Sequence, residues 1–182
     1  MYDIFMIDPP WPKKKGGIRK LYPNQTRELD YKTMSVSDIF DTLKKEILNQ
    51  AATNHCVFLW TIDQFLVESE QEFEKLGYRR HARFVWDKTN GVAPAFTIRY
   101  SHEYLIWFYK DKLLPISKEV RGKYKTVLTE KSREHSRKPE IAYQMINDLY
   151  PNAKKYDVFS RQKRDGWDQF GDQINHFAEG AE

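Results

Sequence analysis

Cys56 is the only cysteine in 182 residues. That excludes a disulfide framework and a cysteine-based metal site. The five histidines are scattered, without metal-ligand spacing, so a metal-free chemistry is expected. No apolar run approaches the length of a membrane span. The chain opens directly on a strand-like segment and not on a signal peptide. Internal repeats and second-domain boundaries are also missing. The expectation from these absences is one cytoplasmic domain over residues 1–182, with no membrane contact.

The excess of positive over negative charge is small too. A net charge of +4 permits a nucleic-acid partner without requiring one. Its placement says more. Lys13, Lys14, Lys15, Arg19 and Lys20 are crowded into one short stretch, and residues 118–138 carry eight Lys/Arg against three Glu. Either run alone suits a solvated loop; together, beside the site described next, they favour phosphate contacts. Aromatic residues make up 15% of the chain, more than a core needs, so some stand in clefts or on surfaces where flat bases stack.

Strand-like and helix-like segments alternate. Met1–Ile7 reads as a buried strand, followed by a long polar loop over 12–32. Ser35 looks like a helix N-cap with Asp38 three residues on, ahead of an apolar stripe from Ile39 to Leu48. Cys56–Trp60 is a second buried strand, and Asp63–Leu76 a helix stopped by Gly77. Arg83–Asp87 and Glu103–Tyr109 read as an antiparallel pair. Residues 111–134 show no clear element. Lys138-Pro139 opens a helix that Pro151 ends, Lys155–Phe159 is a last strand, and Trp167–Phe177 is a closing loop or short helix. This pattern predicts an α/β fold, a mixed sheet with helices on both faces, and ligands outside the carboxyl ends of the strands.

One such end is unusual. Asp8-Pro9-Pro10-Trp11 follows the first strand. Two prolines neither continue a ladder nor enter a helix, so they hold an extended elbow. The elbow presents an acid, two carbonyls without competing local N–H groups, and an indole. These suit the amino group of a flat heterocycle; the same tetrapeptide also suits a plain strand-ending turn.

The elbow resembles motif IV of amino-group methyltransferases, and the blocks around it resemble the MT-A70-like family of adenine-N6 methyltransferases. The matching blocks are Tyr31-Lys32-Thr33-Met34-Ser35, Phe58-Leu59-Trp60, Trp86-Asp87-Lys88-Thr89-Asn90, His135-Ser136-Arg137-Lys138-Pro139, Phe159-Ser160-Arg161, and Gly166-Trp167 through Gly171-Asp172-Gln173. They stand in the family's order from residue 2 to about residue 173. The resemblance implies a Rossmann-like class I methyltransferase fold in permuted order, with the catalytic motif first and the cofactor-binding strand last.

It further implies S-adenosyl-L-methionine as cofactor and adenine in nucleic acid as substrate. DNA is favoured and RNA is the alternative. Asp8, Pro9, Pro10 and Trp11 would be catalytic. The Asp8 carboxylate and the Pro9 carbonyl would accept from the adenine amino group. Trp11 and Tyr31 would stack on the base, while Lys13, Lys14, Lys15 and Arg19 would meet phosphates. The cofactor side would comprise Asp8, His102, Ser136, Lys138, Asp157, Phe159, Arg161, Asp172 and Gln173. His102 stands where eukaryotic catalytic members carry a lysine, so Lys138 or Ser136 would take the cofactor carboxylate. Lys138 equally suits a helix start, and Asp157 a structural ion pair. A non-catalytic nucleic-acid-binding subunit of the same fold is the reading from another class. A homodimer and a heterologous partner subunit both stay open.

Overall fold

In the computed structural model, residues 1–12, 32–90, 98, 100–134 and 137–177 are described. The expected roles of Lys13, Lys14, Lys15, Arg19, Tyr31, His135 and Ser136 lie outside the described residues.

The described chain builds one seven-stranded mixed sheet. β1 (Tyr2–Ile7) lies near its middle, parallel to β2 (Ala51–Thr61) on one side and to β6 (Lys155–Val158) on the other. β4 (His102–Lys110) runs antiparallel to both β2 and β3 (Arg79–Asp87). β5 (Val127–Thr129) and β7 (Trp167–Phe170) close the two edges, so the order is β5-β3-β4-β2-β1-β6-β7.

Because successive strand residues point to opposite faces, the central strands are buried twice. Ile4, Met6, Cys56, Phe58 and Trp60 face α3 (Glu140–Leu149). Phe5, Ile7, Val57 and Leu59 face the other way, against α1 (Val36–Thr42) and α2 (Leu66–Lys75). Helices therefore cover both faces. The expected caps form as well: Ser35 accepts the Asp38 N–H at 3.1 Å, and Gly77 ends α2 at a φ of 80°. Among the described residues no helix is long and apolar enough to cross a membrane.

Two readings are corrected. The 111–134 connection contains β5 and a short 3-10 turn at Lys118–Val120. The closing loop begins as a strand, β7, so Lys155–Val158 is the penultimate strand. Both missed strands sit at sheet edges with one strongly buried residue each, Leu128 and Trp167, so alternation gave no signal. On the surface of β3, Arg80 and Arg83 both pair with Glu70, Arg83 through two contacts of 2.5 Å.

Candidate active site

β1 and β6 are neighbours whose flanking helices lie on opposite faces, which opens a crevice beyond their carboxyl ends. The Asp8 N–H donates to Val158 O at 3.1 Å, and the next two residues have no N–H to give. The ladder therefore stops at Asp8. Beyond it the crevice widens into a cleft of about 1450 Å³. Asp8, Pro9, Pro10, Trp11, Lys138, Phe159, Arg161, Asp172 and Gln173 all line it, so residues from the two ends of the sequence share one cavity.

The elbow is more engaged than its sequence suggests. Pro9 O accepts the Trp11 N–H at 2.8 Å, and Pro10 O accepts the Met34 N–H at 2.9 Å. The reading of two uncommitted carbonyls is therefore corrected. Each keeps one further lone pair, since a carbonyl oxygen accepts twice. Trp11 is braced: its ring stacks on Phe65 at 5.1 Å, and its indole N–H donates to Trp60 O at 3.1 Å.

Asp8 heads a chain of alternating charge. Lys138 Nζ lies 3.0 Å from Asp8 and 3.0 Å from Glu103, and Lys88 Nζ lies 2.6 Å from the other oxygen of Glu103. The Lys138 side chain is only 11% exposed. Burial pushes the Asp8 carboxyl above its ordinary value; Lys138 pulls it back and Glu103 pushes it up again. Burial also pushes Glu103 up, but Lys138 and Lys88 outweigh it and hold it at about 2. The Lys138 ammonium stays above its ordinary value because two carboxylates offset its burial. The acid at the elbow and the acid on β4 are thus driven apart.

The cofactor-side residues divide. Phe159 adopts a φ of 59° where β6 ends, and Ser160 N–H donates to Phe170 O at 3.0 Å. A Cβ at Gly171 would meet Ser160 O at 2.6 Å, so only glycine lets the two segments approach. That approach carries Asp172 and Gln173 to the cleft, where Gln173 accepts from Arg161 Nε at 2.8 Å. A family model described as MT-A70 matches residues 2–173. The chain belongs to the MT-A70 family. Two expected cofactor contacts of this MT-A70 chain do not line that cleft. His102 does not line the cleft; its Nε2 lies 3.0 Å from Tyr104 OH. Asp157 is 1% exposed beneath the cleft wall. It accepts from Tyr143 at 3.3 Å and Ser160 at 3.0 Å, and Arg164 reaches it at 3.3 Å. Burial pushes it up to about 7 against the pull of Arg164.

Three relatives bear on the chemistry. An N(6)-adenosine-methyltransferase MT-A70-like protein of Arabidopsis thaliana is 28% identical over 96% of this chain and 24% of its own length. The type II methyltransferase M.MunI of a Mycoplasma is 27% identical over 95% of this chain and 78% of its own. The N6-methyladenosine RNA methyltransferase MTA1 of Pyricularia oryzae is 24% identical over 98% of this chain and 48% of its own. The chain spans about a quarter of the length of the plant relatives it matches.

Sequence reasoning missed Glu103, Lys88 and Arg164. Glu103 had one signal, a lone acid at the mouth of an otherwise apolar strand running from Leu105 to Phe108. Lys88 stood in a matched block, without a partner to give it a role.

Proposed function

We propose that this chain transfers a methyl group from S-adenosyl-L-methionine to the N6 amino group of adenine in nucleic acid, with DNA favoured. The observation that carries the reading is the Asp8 carboxylate, set by the two-proline elbow in the cleft shared with the β6 end and held by Lys138. The cleft suits the cofactor: Asp172, Gln173 and Arg161 offer acid, amide and guanidinium to a polar nucleoside, and Lys138 offers a cation to a carboxylate. When bound, S-adenosyl-L-methionine supplies an electrophilic methyl group, whose carbon–sulfur bond breaks as the nitrogen–carbon bond forms.

The chain's own residues then act on the base. The adenine amino lone pair is delocalised into the ring and is a weak nucleophile. Asp8 accepts one amino hydrogen and Pro9 O, through its remaining lone pair, the other, which returns electron density to the nitrogen. Burial makes Asp8 a stronger acceptor than an ordinary aspartate, and it takes the proton that the product amine sheds. Trp11, immobilised on Phe65, offers its other face to the base. Positioning and hydrogen bonding supply the acceleration. An adenine within a duplex must first be extruded to reach this depth.

DNA is favoured because M.MunI, named a type II methyltransferase, matches over most of its own length. RNA is the second reading, from the relative named an RNA methyltransferase. Labelled methyl transfer to matched DNA and RNA, single- and double-stranded, tests the polymer. DNA should take the larger share; label confined to RNA contradicts it. A chain that binds nucleic acid but no S-adenosyl-L-methionine would be the non-catalytic subunit instead. We further propose that the chain works as one methyltransferase domain.

Part of the basic 118–138 run is spent on ion pairs, Lys123 with Asp148 and Arg133 with Glu130 and Glu140. Lys118, Arg121, Lys125 and Lys131 are exposed and take no part in those pairs. They remain for phosphates, so affinity for nucleic acid should fall steeply as salt rises in a filter-binding titration. A flat response removes them from the interface.

Lys138 sets the pH dependence. Asp8 must be ionised to accept the amino hydrogens, and Lys138 lowers its pKa. Lys138→Met should therefore move the acid limb of the kcat/KM profile to higher pH. An unmoved limb separates Lys138 from Asp8.

A further inference from the structure

Helix α3 has no local cap. Pro139 at its N-cap offers no side-chain acceptor. The first two amides, of Glu140 and Ile141, donate instead to the two carboxylate oxygens of Glu130, each at 2.9 Å. Glu130 is itself tied to the sheet. Its N–H donates to Asp87 O at 3.2 Å, and its carbonyl accepts the Trp86 indole N–H at 2.7 Å. One side chain thus joins the end of β3 to the start of α3.

Lys138 stands two residues before that start. Arg133 reinforces the junction, donating to Lys138 O at 3.0 Å and to Glu140 at 3.1 Å. A serine or aspartate at the N-cap would have capped an amide of the first turn and ordered the helix alone. A carboxylate from ten residues upstream, fixed to the sheet, orders the helix relative to the sheet. Lys88, one residue past β3, holds Glu103 from the same strand end. Two routes from β3 therefore converge on one ammonium, one through its backbone and one through its counter-ion.

We infer that Glu130 is a positioning residue: by fixing the first turn of α3 to the sheet, it holds the Lys138 ammonium on Asp8. The inference rests on the proposed role of Asp8 in methyl transfer. A lysine has four rotatable side-chain bonds, so its ammonium stays 3.0 Å from two carboxylates only while its backbone is held. Glu130→Gln keeps the size, loses the charge, and turns an amide N–H toward one of the helix amides.

Glu130→Gln should lower kcat about tenfold through misplacement of Lys138. It should also move the acid limb of kcat/KM upward, as Lys138→Met does, although Glu103 and Arg161 also act on Asp8. The double variant should be no slower than Lys138→Met alone, because both changes act through one ammonium. Asp148→Asn is the control for a merely structural role. It loosens the far end of α3 by releasing Lys123 and Tyr124, and should lower the melting temperature without moving the limb. The inference is overturned if Glu130→Gln lowers the melting temperature but leaves the limb in place, or if its loss multiplies with that of Lys138→Met.

A readout without turnover separates this inference from the function it rests on. The ¹⁵N signal of the Lys138 ammonium should be visible in the native chain and in Asp148→Asn, and lost to exchange with water in Glu130→Gln. Its persistence in Glu130→Gln overturns the inference. Absence of methyl transfer by the native chain overturns the proposed function alone.

Discussion

Asp8→Ala should reduce methyl transfer by about a thousandfold, the scale seen when a preorganised electrostatic group is removed from an active site. The size of the effect follows from what the residue does. Among the described residues no other carboxylate oxygen stands at the two-proline elbow, and Glu103 is committed to Lys138 and Lys88 at 3.0 and 2.6 Å. The fold should survive. Lys138 keeps Glu103 as its partner when Asp8 goes, so no buried charge is left alone. The Asp8 backbone bond to Val158 O does not depend on the side chain. Asp8→Asn keeps the shape and one acceptor oxygen and should lose less than Asp8→Ala. Steady-state rates with a melting curve for each variant check both statements. A near-normal rate in Asp8→Ala sinks the mechanism.

Arg164→Ala should destabilise the folded chain by about 3–5 kcal/mol, the cost of stranding one member of a buried ion pair. Arg164 is 12% exposed, reaches Asp157 at 3.3 Å and Glu140 at 3.1 Å, and lies 3.6 Å over the Tyr143 ring. Glu140 retains Arg133, but among the described residues Asp157 keeps only the hydroxyls of Tyr143 and Ser160. The loss should depend on pH. Burial already raises Asp157 to about 7, above its ordinary 3.8, so its ionisation weakens the fold as pH climbs from 3.8 toward 7. Removing Arg164 raises that carboxyl further and extends the decline to higher pH. The variant should come closest to the native chain in acid and lie furthest below it in alkali. Denaturant titrations at several pH values check this, and a pH-independent difference contradicts it.

Local patterns carried most of the architecture and part of the site. A buried strand running into Asp8-Pro9-Pro10 could be read because proline leaves a ladder nothing to donate. Ser35 and Gly77 could be read because helix ends have chemistry of their own. β5 and β7 could not, since strands of three and four residues at a sheet edge bury too little to show a period. The same limit governed the site. Lys138 stood in a recognisable block, yet its partners lie 130 and 35 positions away, at residues 8 and 103. Pro10 O looked unoccupied because its donor, the Met34 N–H, lies 24 positions further along the chain. Asp157 suited a cofactor contact and a structural ion pair alike, and only the fold brings Arg164 and Tyr143 against it. Pairings set by tertiary packing leave no local trace, and electrostatic roles are made of such pairings.

The Asp8 elbow is proposed to present the adenine amino group for methylation. Mass-spectrometric nucleoside analysis tests it most directly, on nucleic acid incubated with the native chain and methyl-labelled S-adenosyl-L-methionine. Label in N6-methylated adenine nucleosides, absent with Asp8→Ala, is the predicted result. Label on another base, or N6-methylated adenine that persists with Asp8→Ala, would contradict it.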